Sequence, residues 1–377
     1  MINKCSTLFH ISPVKSDLQV LTARRFRLKA TGMTGGVNTG MIRIGRGMQS
    51  GFTLLEMVLV LFLIGLMASA TLMLTENVED QAKYDETKRR MEMMRKAIVG
   101  APTRTINGGP EISGFVADMG RLPNCVRELI EQKNCADPAT ILSAWNINPA
   151  TGIGSGWRGP YIQVIPERDK DSDGKPDLRF RDGYGTSDNV IAIDSKNSGW
   201  TFTPLIDASG ATFGIDVSSA SYDLTNSADD ISVTPLIEAS DWRINNININ
   251  FINRNTSDAL PTAVLGENVN LRIYLSSITD YKTGDDGSTT TLNLPTDAIP
   301  SNNNHSKLFY FDSSNAVPIG MHGYAVVCYE TPAGDPDNYV LFDGDCNSAS
   351  NAIPALNDIR KFNVAPRQNI TLDWIIQ

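Results

Sequence analysis

An apolar run with a single acid near its start constrains this 377-residue chain more than any other feature. Residues 57–68 read Met-Val-Leu-Val-Leu-Phe-Leu-Ile-Gly-Leu-Met-Ala, and the apolar stretch continues to about Leu74. About 20 such residues in succession form a helix long enough to span a bilayer. Directly before the run stands Gly51-Phe52-Thr53-Leu54-Leu55-Glu56, which follows a polar, basic segment. A carboxylate inside such a run costs roughly 2.5 to 3.5 kcal/mol on insertion scales, so it is retained for a task. An ordinary secretory signal fits this pattern poorly. Its core is only about 7 to 15 residues and ends at a small-residue cleavage site, whereas this run passes into a charged helical pattern.

Charge divides at the same place. The formal net charge is -9. Residues 1–51 carry eight basic side chains (Lys4, Lys15, Arg24, Arg25, Arg27, Lys29, Arg43 and Arg46) and one acid, Asp17. Without them the remainder has 25 basic and 41 acidic residues, near -16. A basic leader before the run and an acidic body after it obey the positive-inside rule, with the leader cytoplasmic and the body translocated. The acidic body argues against nucleic acid as a partner, whose footprint is a basic patch. Met33, Met41 and Met48 are alternative starts, and Met41 gives a compact basic leader ending at Gly51.

Gly51-Phe52-Thr53-Leu54-Leu55-Glu56 and the apolar helix behind it resemble the class III signal of type IV pilins and of the pseudopilins of type II secretion. The resemblance implies cleavage after Gly51 by a prepilin peptidase and methylation of the new N-terminal Phe52. It also implies pairing of Glu56 with the terminal amine of a neighbouring subunit. The implied partners are other pilin or pseudopilin subunits, the peptidase and an inner-membrane assembly platform. The implied location is a single pass through the inner membrane with a periplasmic head, followed by the filament.

Past the membrane run the helical pattern continues. Val78, Ala82, Tyr84, Thr87, Met91, Met94 and Ile98 recur at spacings of two to four among charged residues, the signature of one apolar stripe. Gly100 and Pro102 end it. A helix over 52–100, with 52–74 in the membrane, has a length of about 70 Å at 1.5 Å per residue. Residues 101–195 read as a small α+β head. Trp157-Arg158-Gly159-Pro160-Tyr161 and Asp182-Gly183-Tyr184-Gly185 are similar to elements that lead into the small sheet of pseudopilin-like heads. Val126–Ile130 reads as a short helix. From about Asn189 the chain is strand-like, beginning with Val190–Ile193 and including 244–252, 269–275, 289–294, 307–311, 323–328 and 370–376. Short strands separated by Ser, Asn, Asp and Gly predict an antiparallel β-sandwich over 196–377. The fold class expected is therefore α+β.

One further motif points to chemistry. Asp169-Lys-Asp171-Ser-Asp173-Gly174-Lys-Pro-Asp177 places alternate carboxylates around one point, with Gly174 free to turn. Ca²⁺ takes six to eight oxygens at flexible geometry, so Asp169, Asp171, Asp173, Asp177 and Asp182 are candidate calcium ligands. The spacing is similar to the calcium loops of thrombospondin type 3 repeats, while Phe180 stands where an EF-hand carries its bidentate Glu. A solvated acidic turn is the alternative. Cys5 lies in the leader, and four cysteines follow it: Cys125, Cys135, Cys328 and Cys346. An even count in an exported body suggests disulfides. Three connectivities exist, and sequence proximity favours Cys125–Cys135 with Cys328–Cys346. His10, His305 and His322 lie in unrelated contexts and read as structural or solvated. No nucleophile elbow, phosphate loop, zinc spacing or dinucleotide fingerprint is present. No catalytic residue is assigned, and a low-abundance structural subunit is the reading favoured. Its rival is a glycan-binding or enzymatic β-sandwich on a pilin-like anchor.

Overall fold

The computed structural model describes residues 53–101, 103–106, 108–137, 139–221, 230–260, 269–284, 299–329, 339–344 and 358–376. The chain divides into two compact units, Met1–Ile64 and Gly65–Gln377. Helix α1 (Leu54–Val99) runs through the boundary and is 46 residues long. It contains no proline, and Leu, Met, Ala, Glu, Lys and Arg, all good helix formers, fill most of it. In its second half Glu79–Lys83 (2.8 Å) and Glu86–Arg90 (2.7 Å) pair at helical spacing. Thr87, Met91, Met94 and Ile98 of the expected stripe turn inward and are buried, with Ala97 and Val99 beside them, while Val78, Ala82 and Tyr84, nearer the membrane run, are exposed. Gly100 stops the helix at φ 77°. A Cβ there would meet Ser113 O at 2.5 Å, so the position requires glycine on both counts.

Short helices α2 (Phe115–Met119), α3 (Arg127–Ile130), α4 (Ile191–Asn197) and α5 (Ala239–Trp242) occur between the strands. Strands of three or more residues form three sheets among the described residues. Strands β1 (Trp200–Ile206), β2 (Thr212–Ser219) and β3 (Ile231–Ile237) are antiparallel in that order. Ser232 of β3 accepts a hydrogen bond at its carbonyl from Lys88 Nζ of α1 at 2.6 Å. Later strands are β4 (Asn246–Asn253), β5 (Val269–Tyr274), β6 (Tyr281–Gly284), β7 (Asn304–Tyr310), β8 (Gly320–Tyr329), β9 (Tyr339–Leu341), β10 (Arg360–Val364) and β11 (Thr371–Ile376). The second sheet runs β6-β5-β8-β9, and β10 also pairs with β8. The third runs β7-β4-β11.

Alternation explains β4. In Asn246-Ile-Asn-Ile-Asn-Phe-Ile-Asn253 every second side chain is buried, so Ile247, Ile249 and Phe251 enter the core while the first three asparagines of the strand stay outside it. Phe251 meets Phe342 edge-on at 5.9 Å and lies 6.4 Å from Phe309 of β7. Tyr324 of β8 packs on Trp374 of β11 at 6.2 Å and donates its hydroxyl to Asp373 O at 2.9 Å. The second and third sheets thus share one core.

The α+β class is the one expected, with two local departures. Val190–Ile193 does not form a strand. Val190 is extended and Ile191–Asn197 is helical, because the turn buries Asp194 against two arginines. Tertiary pairing overrides the β-propensity of two isoleucines. The third sheet is also mixed, since β11 joins β4 in parallel. Arg360 of β10 bonds Asp373 O at 2.8 Å, and the connection after Val364 brings the chain back in the direction of β4. The strand expected at 289–294 lies outside the described residues.

Candidate functional site

The membrane-facing end comes first. Thr53 precedes α1, and its Oγ1 accepts from Glu56 N at 3.3 Å, which gives the new helix one of its missing acceptors. Glu56 therefore sits in the first turn and is exposed, where a carboxylate complements the helix dipole. The window Leu54–Thr71 has a mean hydropathy of 2.2, and none of it is buried. This 18-residue stretch has the length and composition to cross a membrane. Gly51 and Phe52 lie outside the described residues, as do Cys5 and His10.

The far half of α1 is the seat of the second glycine-aromatic motif, and the first packs on the short helices α2 and α3. Gly183 sits on the helix, with its N–H donating to Thr87 Oγ1 at 3.0 Å. A Cβ there would lie 2.2 Å from Lys83 O, so only glycine allows the approach. Arg90 reaches back to Arg181 O at 2.6 Å. Trp157 Nε1 donates to Glu128 O at 2.7 Å, and Tyr161 donates to Asp118 Oδ2 at 3.0 Å. Burial raises the Asp118 carboxyl, while Arg158 (2.9 Å) and Tyr161 oppose the shift.

The acidic loop closes between Glu167 and Asp177, which exchange backbone hydrogen bonds of 2.7 and 3.2 Å. Ser172 (φ 61°) and Gly174 (φ 82°) make the left-handed corners. Asp169 accepts from Ser172 N at 2.7 Å and Gly174 N at 3.0 Å. Desolvation pushes the Asp169 carboxyl up, but these N–H groups outweigh it and hold the carboxyl below its ordinary value. Carboxylate oxygens of Asp169, Asp171 and Asp177 all lie within 4.8 Å of one another. Two of the five expected ligands stand apart from this group. Asp173 is outside it and accepts from Lys175 N at 2.8 Å. Asp182 is buried elsewhere and accepts from Thr186 N and Thr186 Oγ1 (2.8 Å each) and from Ser219 Oγ (2.5 Å). It ties a turn to β2, and Phe180 and Arg181 between it and the loop carry it away.

Asp177 also contacts Arg179, with Nη1 2.7 Å from Oδ2. This pair opens a buried ionic network that sequence reasoning missed. Arg181 grips Glu167 at 2.7 and 2.8 Å and Asp194 at 2.8 and 3.1 Å. These hydrogen bonds hold both carboxyls below their ordinary values against the upward push of burial on Asp194. The available signal was Arg179-Phe180-Arg181, two arginines flanking a core aromatic, which in isolation looks like a solvated alternating strand.

The Cys125–Cys135 disulfide is present, with Cα atoms 5.9 Å apart. Buried Glu128 lies under its loop, accepting from Asn124 N and pairing with Arg121 at 2.8 Å. Cys328 of β8 is disulfide-bonded, while Cys346 lies outside the described residues. His305 lies in β7 and not in a loop, paired in register with Phe251. His322 is buried in β8, its Nε2 2.8 Å from Pro318 O.

Residues 46–72 match the family model of the prokaryotic N-terminal methylation motif. With the apolar helix behind that motif, the chain has a type IV pilin-like N-terminus. The motif points to a structural subunit that is membrane-anchored, associates with other pilin subunits and is a substrate of a prepilin peptidase. No curated protein and no solved structure matches the chain.

Proposed function

We propose that the chain is a low-abundance pilin or pseudopilin, cleaved between Gly51 and Phe52 and assembled into a type IV pilus or a type II secretion pseudopilus. The observation that carries this reading is Glu56 in the first turn of an apolar helix of which residues 54–71 are exposed among the described residues. A carboxylate taken into lipid or a filament core must be paired or lose its charge. The amine of Phe52 on a neighbour is the partner of the right sign, and the pairing fixes axial register. Residues 101–195 serve as the head and 196–377 as an outward module that limits lateral packing. A bulky head favours few copies near the tip.

The acidic loop is the head's cation site in this reading. Asp169, Asp171 and Asp177 supply hard oxygen donors suited to Ca²⁺. Backbone carbonyls and water complete the six to eight oxygens, and Asp177 exchanges its Arg179 contact for the ion. Charge neutralisation at Glu56 is the test of assembly. Glu56→Gln is expected to insert normally and to be depleted from sheared filaments measured by quantitative mass spectrometry. Undiminished incorporation refutes the register role.

A further inference from the structure

An apolar cavity of about 260 Å³ lies between the first sheet and the segment that joins α2 to α3. In the β1–β2 ladder Phe202 stands opposite Val217 and Pro204 opposite Ile215, so these side chains share one face of the sheet. Val217 and Ile215 are buried, whereas Phe202 is half-buried and Pro204 exposed. The cover over that face is therefore incomplete. Leu122, Pro123 and Trp242 complete the walls with Phe202, Pro204 and Ile215. The walls are held before any guest arrives. Trp242 donates its Nε1 to Phe213 O at 2.9 Å. The Cys125–Cys135 disulfide ties the chain just past Leu122 and Pro123, and Glu128 accepts from Asn124 N at 3.2 Å. A preorganised site loses less entropy on binding.

Size and lining select the guest. A buried water needs two to four polar partners, and aliphatic and aromatic walls offer few. An apolar cavity of about 150 Å³ already holds benzene, so this one has room for an aromatic ring and a short substituent. Charge selects the substituent. Arg121 is the single charged residue that lines the cavity. Its side chain is 37% exposed while Leu122, Ile215 and Trp242 are buried, which places it at the rim and the apolar groups at the floor. The guanidinium is steadied over the Phe115 ring at 5.2 Å. Its Nη1 donates to Leu122 O at 2.9 Å and to Glu128 Oε2 at 2.8 Å. Nε and Nη2 have no acceptor among the described residues, and two such donors are what a carboxylate takes in a two-point grip. Glu128 is fully buried, so a guest meets the cation and not its partner.

We propose that this cavity binds a small aromatic carboxylate, with its ring against Phe202, Ile215 and Trp242 and its acid on Arg121. No residue of α1 or of the acidic loop lines the cavity, so its occupancy is separable by experiment from filament assembly and from cation binding.

The test uses the detergent-purified mature chain. Crystals soaked in para-bromophenylacetate are expected to show an anomalous peak enclosed by Phe202, Ile215 and Trp242. In solution the unfolding midpoint is expected to rise with the logarithm of phenylacetate concentration, as for any ligand of the native state. Phenylacetamide keeps the ring and loses the charge, and about tenfold more of it is expected to be needed for the same rise. Arg121→Met is expected to erase the difference between acid and amide while keeping the response to the amide. Should that variant fail to fold because Glu128 loses its partner, the wild-type comparison decides the matter. Bromine peaks at the surface only, equal potency of acid and amide on the wild type, or a midpoint that neither compound moves overturns the proposal.

Discussion

Lowering the pH loads a proton onto His322 of the unfolded chain well before it protonates the buried ring of the folded one. The ring is 4% exposed, with Nε2 against Pro318 O, Nδ1 without a partner and Phe362 at 6.1 Å. Burial is the largest cause of its low pKa, which falls from 6.5 to about 4, while the Pro318 carbonyl and Asp280 oppose the shift. The unfolded chain therefore binds this proton below about pH 6.5, and the folded chain resists until about pH 4. Stability is unaffected well above 6.5 and declines as the pH falls between those values. At 1.36 kcal/mol per unit, the full loss is about 3.4 kcal/mol. With unfolding entropy of about 2.1 cal/mol/K per residue, that is a fall of about 5 °C in Tm for a unit the size of 65–377. The assay is thermal unfolding of wild type and His322→Phe between pH 7.5 and 4. Carboxylates contribute to both curves, so the gap between them isolates the imidazole. The gap is expected to narrow in favour of His322→Phe as the pH drops. Parallel curves would falsify the assignment of a buried neutral imidazole.

Other substitutions test the packing and the loop. Gly183→Ala forces a methyl to 2.2 Å from Lys83 O and should destabilise the unit by about 1 to 3 kcal/mol, read as a drop in Tm; an unchanged Tm contradicts the close seat on α1. Cys125→Ser with Cys135→Ser opens a loop with a sequence separation of 10 and should cost about 2.7 kcal/mol on loop-entropy grounds, measured by urea denaturation. Calorimetry should find Ca²⁺ binding abolished in Asp171→Asn and retained in Asp173→Asn, and equal effects would place Asp173 back among the ligands.

Local periodicity made the fold class, the length of α1, the short α3 and most strands legible. The stripe from Thr87 to Ile98 needed only its own spacing. The Ile and Phe of β4 announced themselves by alternating with Asn. What could not be read depends on pairs distant in sequence. Asp194 makes a helix of a β-branched stretch because Arg181 lies 2.8 Å away, and a pair of positions 13 residues apart leaves no local pattern. Asp182 resembled a metal ligand by spacing, yet Ser219 and Thr186 claim both its oxygens. The shape of the acidic loop, by contrast, was readable because its clustered carboxylates, corners and closure all fall within a dozen residues. The place of Glu56 in the first turn of α1 was readable for a different reason, since an acid ahead of an apolar run is conspicuous against its own background.

The claim at the centre of this account is that Gly51 and Phe52 form a processing site. Intact-mass and N-terminal sequencing of the chain, isolated from cells with and without an active prepilin peptidase, tests it most directly. The account predicts a chain beginning at Phe52, N-methylated, when the peptidase is present, and an uncut leader when it is absent. A mature start at any other residue, or cleavage that proceeds without the peptidase, contradicts it.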